Sequence, residues 1–304
     1  MRLLTRSDFD GLACGALLLE LGLISDYKFV HPKDIQDGLI EVTQNDVLAN
    51  IPYVKGCGLW FDHHTSESER LGDKVVFEGD SRPLDSAARV IYEYYGGKAR
   101  LPHFEKMVVA VDKVDSAKLT VDEILSPTGW VLLGFVMDPR TGLGRFRQFR
   151  ISNYELMEVL MEACRAQTIE EILENPDVKE RTELYFEQDA LFRKMIAEHT
   201  HVDGNVIITD LRDVDTIYAG NRFIIYSLYP EQNISMWVVD GRGKQNCPIA
   251  VGHSVLKRTS QTDVGSLLLK YGGGGHRQVG TCQVPYGDAD KVIGELASRM
   301  KADG

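Results

Sequence analysis

Short apolar runs, separated by polar turns and by segments of helical length, set the pattern of the first half of the chain. Leu3-Leu4 leads into an acidic turn, Ser7-Asp8-Phe9-Asp10-Gly11. Residues 14–21 read as a helix, and Gly22 just past the end is a usual stop signal. Residues 27–30, 46–50 and 58–61 read as further strands, the second stopped by Pro52. Residues 86–95 read as a helix capped by Asp85 or Ser86 and closed by Gly96-Gly97. The apolar run 107–111 ends at Asp112, and periodicity leaves strand and buried helix both open there. Strands alternating with helices in this way predict a parallel sheet covered on both faces.

From about residue 153 to 199 the pattern turns helical, with amphipathic stretches at 155–165 and 179–197 whose charges read as a solvated face. After His199 the texture is β-rich, at 206–209, 222–228 and 234–239. A helix at 264–270, a glycine run and a strand containing 281–284 complete the pattern. The fold expected is α/β: a parallel-sheet N-terminal domain over 1–185, its helical connection beginning near 153, and a smaller α+β C-terminal domain over 200–304.

A chain of 304 residues suits about two domains. No stretch approaches the roughly 20 apolar residues of a membrane span, so no membrane association is expected and the location expected is cytoplasmic. Cys14, Cys57, Cys164, Cys247 and Cys282 form no CxxC pair and are odd in number, which reads as free thiols. The net charge of -11 argues against general coating of nucleic acid, but it allows a local basic pocket for a small phosphorylated substrate or a short oligonucleotide. The oligomeric state is left open, a homodimer included. Trp60, Trp130 and Trp237 read as core rather than as base-stacking platforms.

Asp62-His63-His64 directly follows the apolar run 58–61. In open α/β sheets the crevice beyond the strand ends is where ligands bind, so one carboxylate and two imidazoles stand where metal chemistry is done. Asp8 and Asp10, two apart with Gly11 behind them, read either as a second contribution to the same centre or as a solvated turn or helix cap. Asp112 and Asp115 follow a third apolar run. The run Gly272-Gly273-Gly274-Gly275, followed by His276 and Arg277, reads as an anion cradle or as a loop or helix cap. Arg258 and His253 are further candidates, and Ser86 reads as an ordinary helix cap.

In this order the motifs resemble the DHH phosphoesterase family. Asp8-Phe9-Asp10-Gly11 looks like its first motif and Asp62-His63-His64 its defining one. The stretch from Gly272 to His276, with Arg277 and Gly280 after it, resembles the GGGH motif of the associated DHHA1 domain, and the closest members are exopolyphosphatase-like or oligonucleotide phosphoesterases. The resemblance implies one or two Mn²⁺ or Mg²⁺ ions. It assigns Asp10, His63 and Asp112 to one ion, with Asp115 the fallback for Asp112, and Asp8 to the other. Asp62 either orients His63 or ligates directly, and His64 faces the phosphate. Gly272 to Gly275, His276 and Arg258 hold distal phosphates, in a cleft between the two domains.

Two positions depart from the family pattern. Where the family carries a His ahead of the first Asp pair, this chain has Leu4, Thr5, Arg6 and Ser7. Where the family has an ion-bridging Asp at the end of the strand before the DHH motif, this chain has Asn50. Both fall on the site that Asp8 would serve. The function expected is metal-dependent hydrolysis of a short phosphodiester or phosphoanhydride: an oligonucleotide, a dinucleotide or polyphosphate. The alternative is a non-catalytic nucleotide- or phosphate-binding regulator with a degraded metal site.

Overall fold

The computed structural model of the protein describes residues 1–64, 67, 70–72, 75–146 and 148–304. Chain contacts divide it into two units, Met1–Lys118 with Pro127–Leu184 and Leu119–Ser126 with Tyr185–Gly304. Residues 119–126 and 185–199 therefore group with the second unit, which the helical spacing of the sequence did not indicate.

The first unit is built on β1 (Arg2–Thr5), α1 (Phe9–Glu20), β2 (Asp26–Phe29), α2 (Pro32–Gln36), β3 (Asp46–Ala49), β4 (Leu59–Asp62), β5 (Gly79–Ser81), α3 (Ala87–Tyr94) and α4 (Glu105–Asp115). The five strands are all parallel, in the order β2-β1-β3-β4-β5. The central strands β1, β3 and β4 are short apolar runs buried on both faces, with Leu3, Leu4, Val47, Leu48 and Phe61 fully buried, whereas the edge strands β2 and β5 are partly exposed. The order reverses between β1 and β3, which makes the carboxyl ends of those strands a topological switch point. Residues 6–8 follow β1, Asn50 follows β3, and Asp62 closes β4 with His63 and His64 directly after it.

Residues 107–111, left open by the sequence, lie within α4. Met107, Val108, Val111 and Val114 are buried at helical spacing while Val109 is 43% exposed, which a strand buried on both faces would not give. After α5 (Val121–Leu125), which belongs to the second unit, the first unit resumes with α6 (Gly129–Met137), α7 (Asn153–Ala166) and α8 (Ile169–Glu174). The last two open on capping boxes, Ser152 with Glu155 and Thr168 with Glu171. The chain passes into the second unit within α9 (Pro176–Glu198).

The second unit carries β6 (Thr200–Asp203), β7 (Val206–Asp210), α10 (Ile224–Leu228), β8 (Ile234–Val238), β9 (Asn246–His253), α11 (Val264–Leu269), β10 (Gly274–His276), β11 (Val279–Pro285) and α12 (Ala289–Asp303). Its sheet runs β10-β11-β9-β8-β7-β6, antiparallel except for β7 with β8. Ile234, Met236, Ile249 and Val251 from the sheet share one core with Leu268 of α11 and Leu296 and Met300 of α12. Here the sequence reading needs one correction. Residues 222–228 look β-rich, yet they fold as the helical turn α10. The Asn221 side chain accepts the Phe223 N–H at 3.0 Å and donates to the Ile124 carbonyl, which turns the chain before the buried pair Ile224-Ile225. Local hydrogen bonding overrides the β preference of the branched side chains.

Candidate metal centre

Asp10, His63 and Asp115 each present one ligand atom, and these atoms lie within 4.8 Å of one another. Each comes from a different element. Asp10 sits in the first turn of α1 and is 2% exposed. Its two carboxylate oxygens accept the N–H groups of Ala87 and Ala88, at 2.9 and 2.8 Å, so the unpaired amides at the start of α3 fix its orientation. Gly11 lets α1 begin this close to the strand end, since a Cβ there would stand 2.0 Å from the Arg6 carbonyl oxygen.

His63 leaves β4 with Nδ1 3.2 Å from the Leu84 carbonyl, which can only accept, so Nδ1 carries the proton. Nε2 then turns a lone pair inward. It is buried, makes no hydrogen bond, and lies 3.3 Å from an Asp115 oxygen and 3.8 Å from an Asp10 oxygen. A lone pair aimed at two carboxylates is an arrangement that a cation satisfies. The donor set, two carboxylates and one imidazole, suits Mn²⁺ or Mg²⁺.

The electrostatics agree. Burial, reinforced by the charge of Asp115, pushes the Asp10 carboxyl up to about 7. Desolvation also raises Asp115. Carboxyls whose charge is this poorly solvated gain most from a bound cation.

Asp112 does not join this group, contrary to expectation. One of its oxygens accepts the Ser86 hydroxyl at 2.7 Å, and the other accepts Arg89 Nε and Nη2 at 2.9 and 2.6 Å. Because 107–115 is helical, Asp115 stands one turn further along α4 and reaches His63 in its place. Ser86, for its part, caps α3 through the Arg89 N–H. The role of Asp62 also needs correcting. It is fully buried and orients His64, not His63: Oδ1 lies 2.8 Å from His64 Nδ1, and Oδ2 accepts the His64 backbone N–H at 3.3 Å. Burial alone would lower the His64 pKa, but the hydrogen bond and charge of Asp62, with Asp115 and Asp10 further off, turn the net shift upward.

Asp8 caps α1, with one oxygen accepting the Gly11 N–H at 2.9 Å and Asn50 Nδ2 at 3.1 Å. Its other oxygen is ion-paired with Arg6 Nε at 3.0 Å. Asn50 is 1% exposed, has φ 57°, and leaves Oδ1 without a partner. Two residues of this region escaped the sequence reading, Asp138 and Arg140, whose Nε donates to Asp138 at 2.7 Å. Burial would lower the Arg140 pKa; Asp138, with Asp115 and Asp8 at longer range, raises it. A Pro-Arg after an apolar helix carries no metal-site signature, so only the fold reveals them.

In the second unit the glycine run has a packing reason. Gly272 (φ 72°) ends α11, with its N–H bonded to the Leu269 carbonyl and that of Gly273 to Leu268. A Cβ on Gly273 would lie 2.2 Å from the Thr281 carbonyl oxygen, and one on Gly275 2.2 Å from that of Val279. Gly274, Gly275 and His276 form β10, and His276 and Arg277 are exposed. His253 Nε2 donates to the Thr262 carbonyl at 2.8 Å, and Arg258 Nε to Val255 at 3.1 Å. His253 is thus held by its own unit's backbone.

No protein-family profile and no curated protein matches the chain. Solved structures do. A pGpG-specific phosphodiesterase, PggH, from Vibrio cholerae is 50% identical over 100% of this chain and 99% of that one, with a TM-score of 0.87. An exopolyphosphatase-related protein from Bacteroides fragilis shares 12% identity over 99% of this chain and 92% of its own, at a TM-score of 0.52. The DHH domain of a member of the S1p family of ribosomal proteins shares 14% over 99% and 86%, at 0.55. The last two speak for the fold alone.

Proposed function

Because the chain belongs to the DHH phosphoesterase family, we propose that it is a metal-dependent phosphodiesterase that cleaves a linear dinucleotide into mononucleotides, with pGpG the first substrate to try. The observation that carries this reading is the convergence of Asp10, His63 and Asp115 from three elements on one point, with the His63 lone pair unsatisfied. These three side chains would hold one divalent cation. When bound, such a cation supplies Lewis acidity and charge neutralisation at a phosphoryl centre.

The chain's own residues do the rest. Ala87 and Ala88 hold Asp10 through their N–H groups. Leu84 fixes the tautomer of His63. Asp62 holds His64 with a proton on Nδ1, and its upward-shifted pKa favours a second proton on Nε2, to be given to a phosphoryl or leaving oxygen. In the second unit the glycines answer to packing, which leaves the exposed His276 and Arg277 as that unit's own candidates for holding a phosphate. The net charge of -11 disfavours long anionic polymers. The convergence of these three side chains favours hydrolysis over the alternative of a non-catalytic binder.

The test is hydrolysis of pGpG, of other linear dinucleotides and of short polyphosphate with Mn²⁺. Asp10→Ala and His63→Ala should each cut kcat by about a hundredfold or more. Parent-like turnover in both variants would refute the site, and turnover of polyphosphate alone would refute the substrate class.

A further inference from the structure

Two-metal phosphoryl-transfer centres hold their ions about 3.5–4 Å apart, so a second ion here would have to use Asp8, the remaining acid at the start of α1. The structure spends Asp8 otherwise. One oxygen accepts two N–H donors, from Gly11 and from Asn50, and the other is paired with the Arg6 guanidinium. The orientation of the Asn50 amide follows from this. Turning Oδ1 toward Asp8 would set two acceptors face to face, so Nδ2 stays on Asp8 and Oδ1 stays off it.

Charge balance points the same way. Asp10 and Asp115 bring two negative charges, enough for one divalent cation. Asp8 and Arg6 together bring none, and Asn50 adds a neutral amide. Among the described residues, a second divalent cation would be placed beside a guanidinium with no anionic ligand left to offset it.

We propose that this centre takes a single divalent ion, and that the Arg6–Asp8 pair, locked by Asn50, occupies the place of a second. The fixed cation at that place is then the Arg6 guanidinium, an always-charged group with a planar fork of N–H donors suited to phosphoryl oxygens. This rests on the assignment of the first ion to Asp10, His63 and Asp115.

Metal content after equilibration with excess Mn²⁺ and removal of free ion decides it, read by elemental analysis together with electron paramagnetic resonance. The parent should hold one Mn²⁺ per chain, with the six-line spectrum of an isolated ion, and Asp10→Ala should hold none. The double variant Arg6→Ala with Asn50→Asp restores an anionic, unpaired second place and should hold two. Two ions or a spin-coupled pair in the parent would overturn the single-ion proposal and leave the first site standing. A double variant that still takes one would show that Arg6 and Asn50 are not what excludes the second. No ion in the parent, or one that survives Asp10→Ala, would sink the metal-site assignment itself and the proposal with it.

Discussion

Asp112 and Asp115 differ by one helical turn, and that turn separates an ion pair from a candidate ligand. Asp115→Ala should weaken Mn²⁺ binding at least tenfold and leave thermal stability nearly unchanged. Asp112→Ala should do the reverse: Mn²⁺ affinity within about twofold of the parent, and a loss of roughly 1–3 kcal/mol because Arg89 is left without its charged partner. Calorimetric titration and denaturant unfolding read the two effects separately, and swapped results would exchange the assignments. A second outcome concerns pH. In the cation-free protein the Asp10 carboxyl is raised to about 7, so below that pH it holds a proton that a cation must displace. Mn²⁺ affinity should therefore fall as pH drops through 7, by up to about tenfold per pH unit for each proton released. Titrations in buffers of different ionisation enthalpy should show that release; affinity flat from about pH 8 to about 5.5 would contradict it. Both residues were visible in the sequence. What was hidden was the state of 107–115, because a short apolar run does not declare its own periodicity.

At the scale of elements, the centre depends on α1 and α3 starting where they do. Gly11 permits the first, and Gly11→Ala would drive a methyl against the Arg6 carbonyl and Thr5 Oγ1. The expected cost is roughly 1–3 kcal/mol from overpacking, together with weaker Mn²⁺ binding as Asp10 shifts. Gly287→Ala, where a Cβ meets nothing within 4 Å, is the control and should move neither quantity. Equal effects from the two substitutions would show that the close approach is unimportant. Strands β1, β3 and β4 and helix α3 could be read from sequence to within a residue or two, because apolar runs, a serine cap and a stop glycine mark them, whereas α1 starts at Phe9, five residues ahead of the start read at 14, because Asp8 caps it and Asp10 lies in its first turn. The turn α10 could not, because its cause is the Asn221 side chain bonding to a carbonyl nearly a hundred positions away. Nor could the reason for the glycine run, which lies in the backbone of a strand that follows it.

For the molecule as a whole, the order of short motifs carried more than any one of them. Asp8 to Gly11 alone had a bland reading as a solvated turn or cap, but the strand order β2-β1-β3-β4-β5 gathers it with Asp62 to His64 at the reversal between β1 and β3 and across β4. The sequence named Asp10 and His63 and held Asp115 in reserve. It misplaced the partner of Asp62, because two adjacent histidines are equivalent until their rings are seen. Legibility follows burial: the buried strands β1, β3, β4, β7 and β8 announce themselves as apolar runs, whereas β5, β6 and β9, with polar or partly exposed positions, do not. No helix among the described residues is long and apolar enough to cross a membrane.

The grip of two backbone amides on Asp10 has one more effect. A carboxylate clamped at both oxygens has almost no rotational freedom to surrender when a cation arrives, so capture there carries little entropic penalty. At that ligand the site also cannot reshape itself around its guest. Choice among ions then falls to radius and preferred ligand number, and large, loosely coordinated Ca²⁺ should be the poorest fit among the common hard cations.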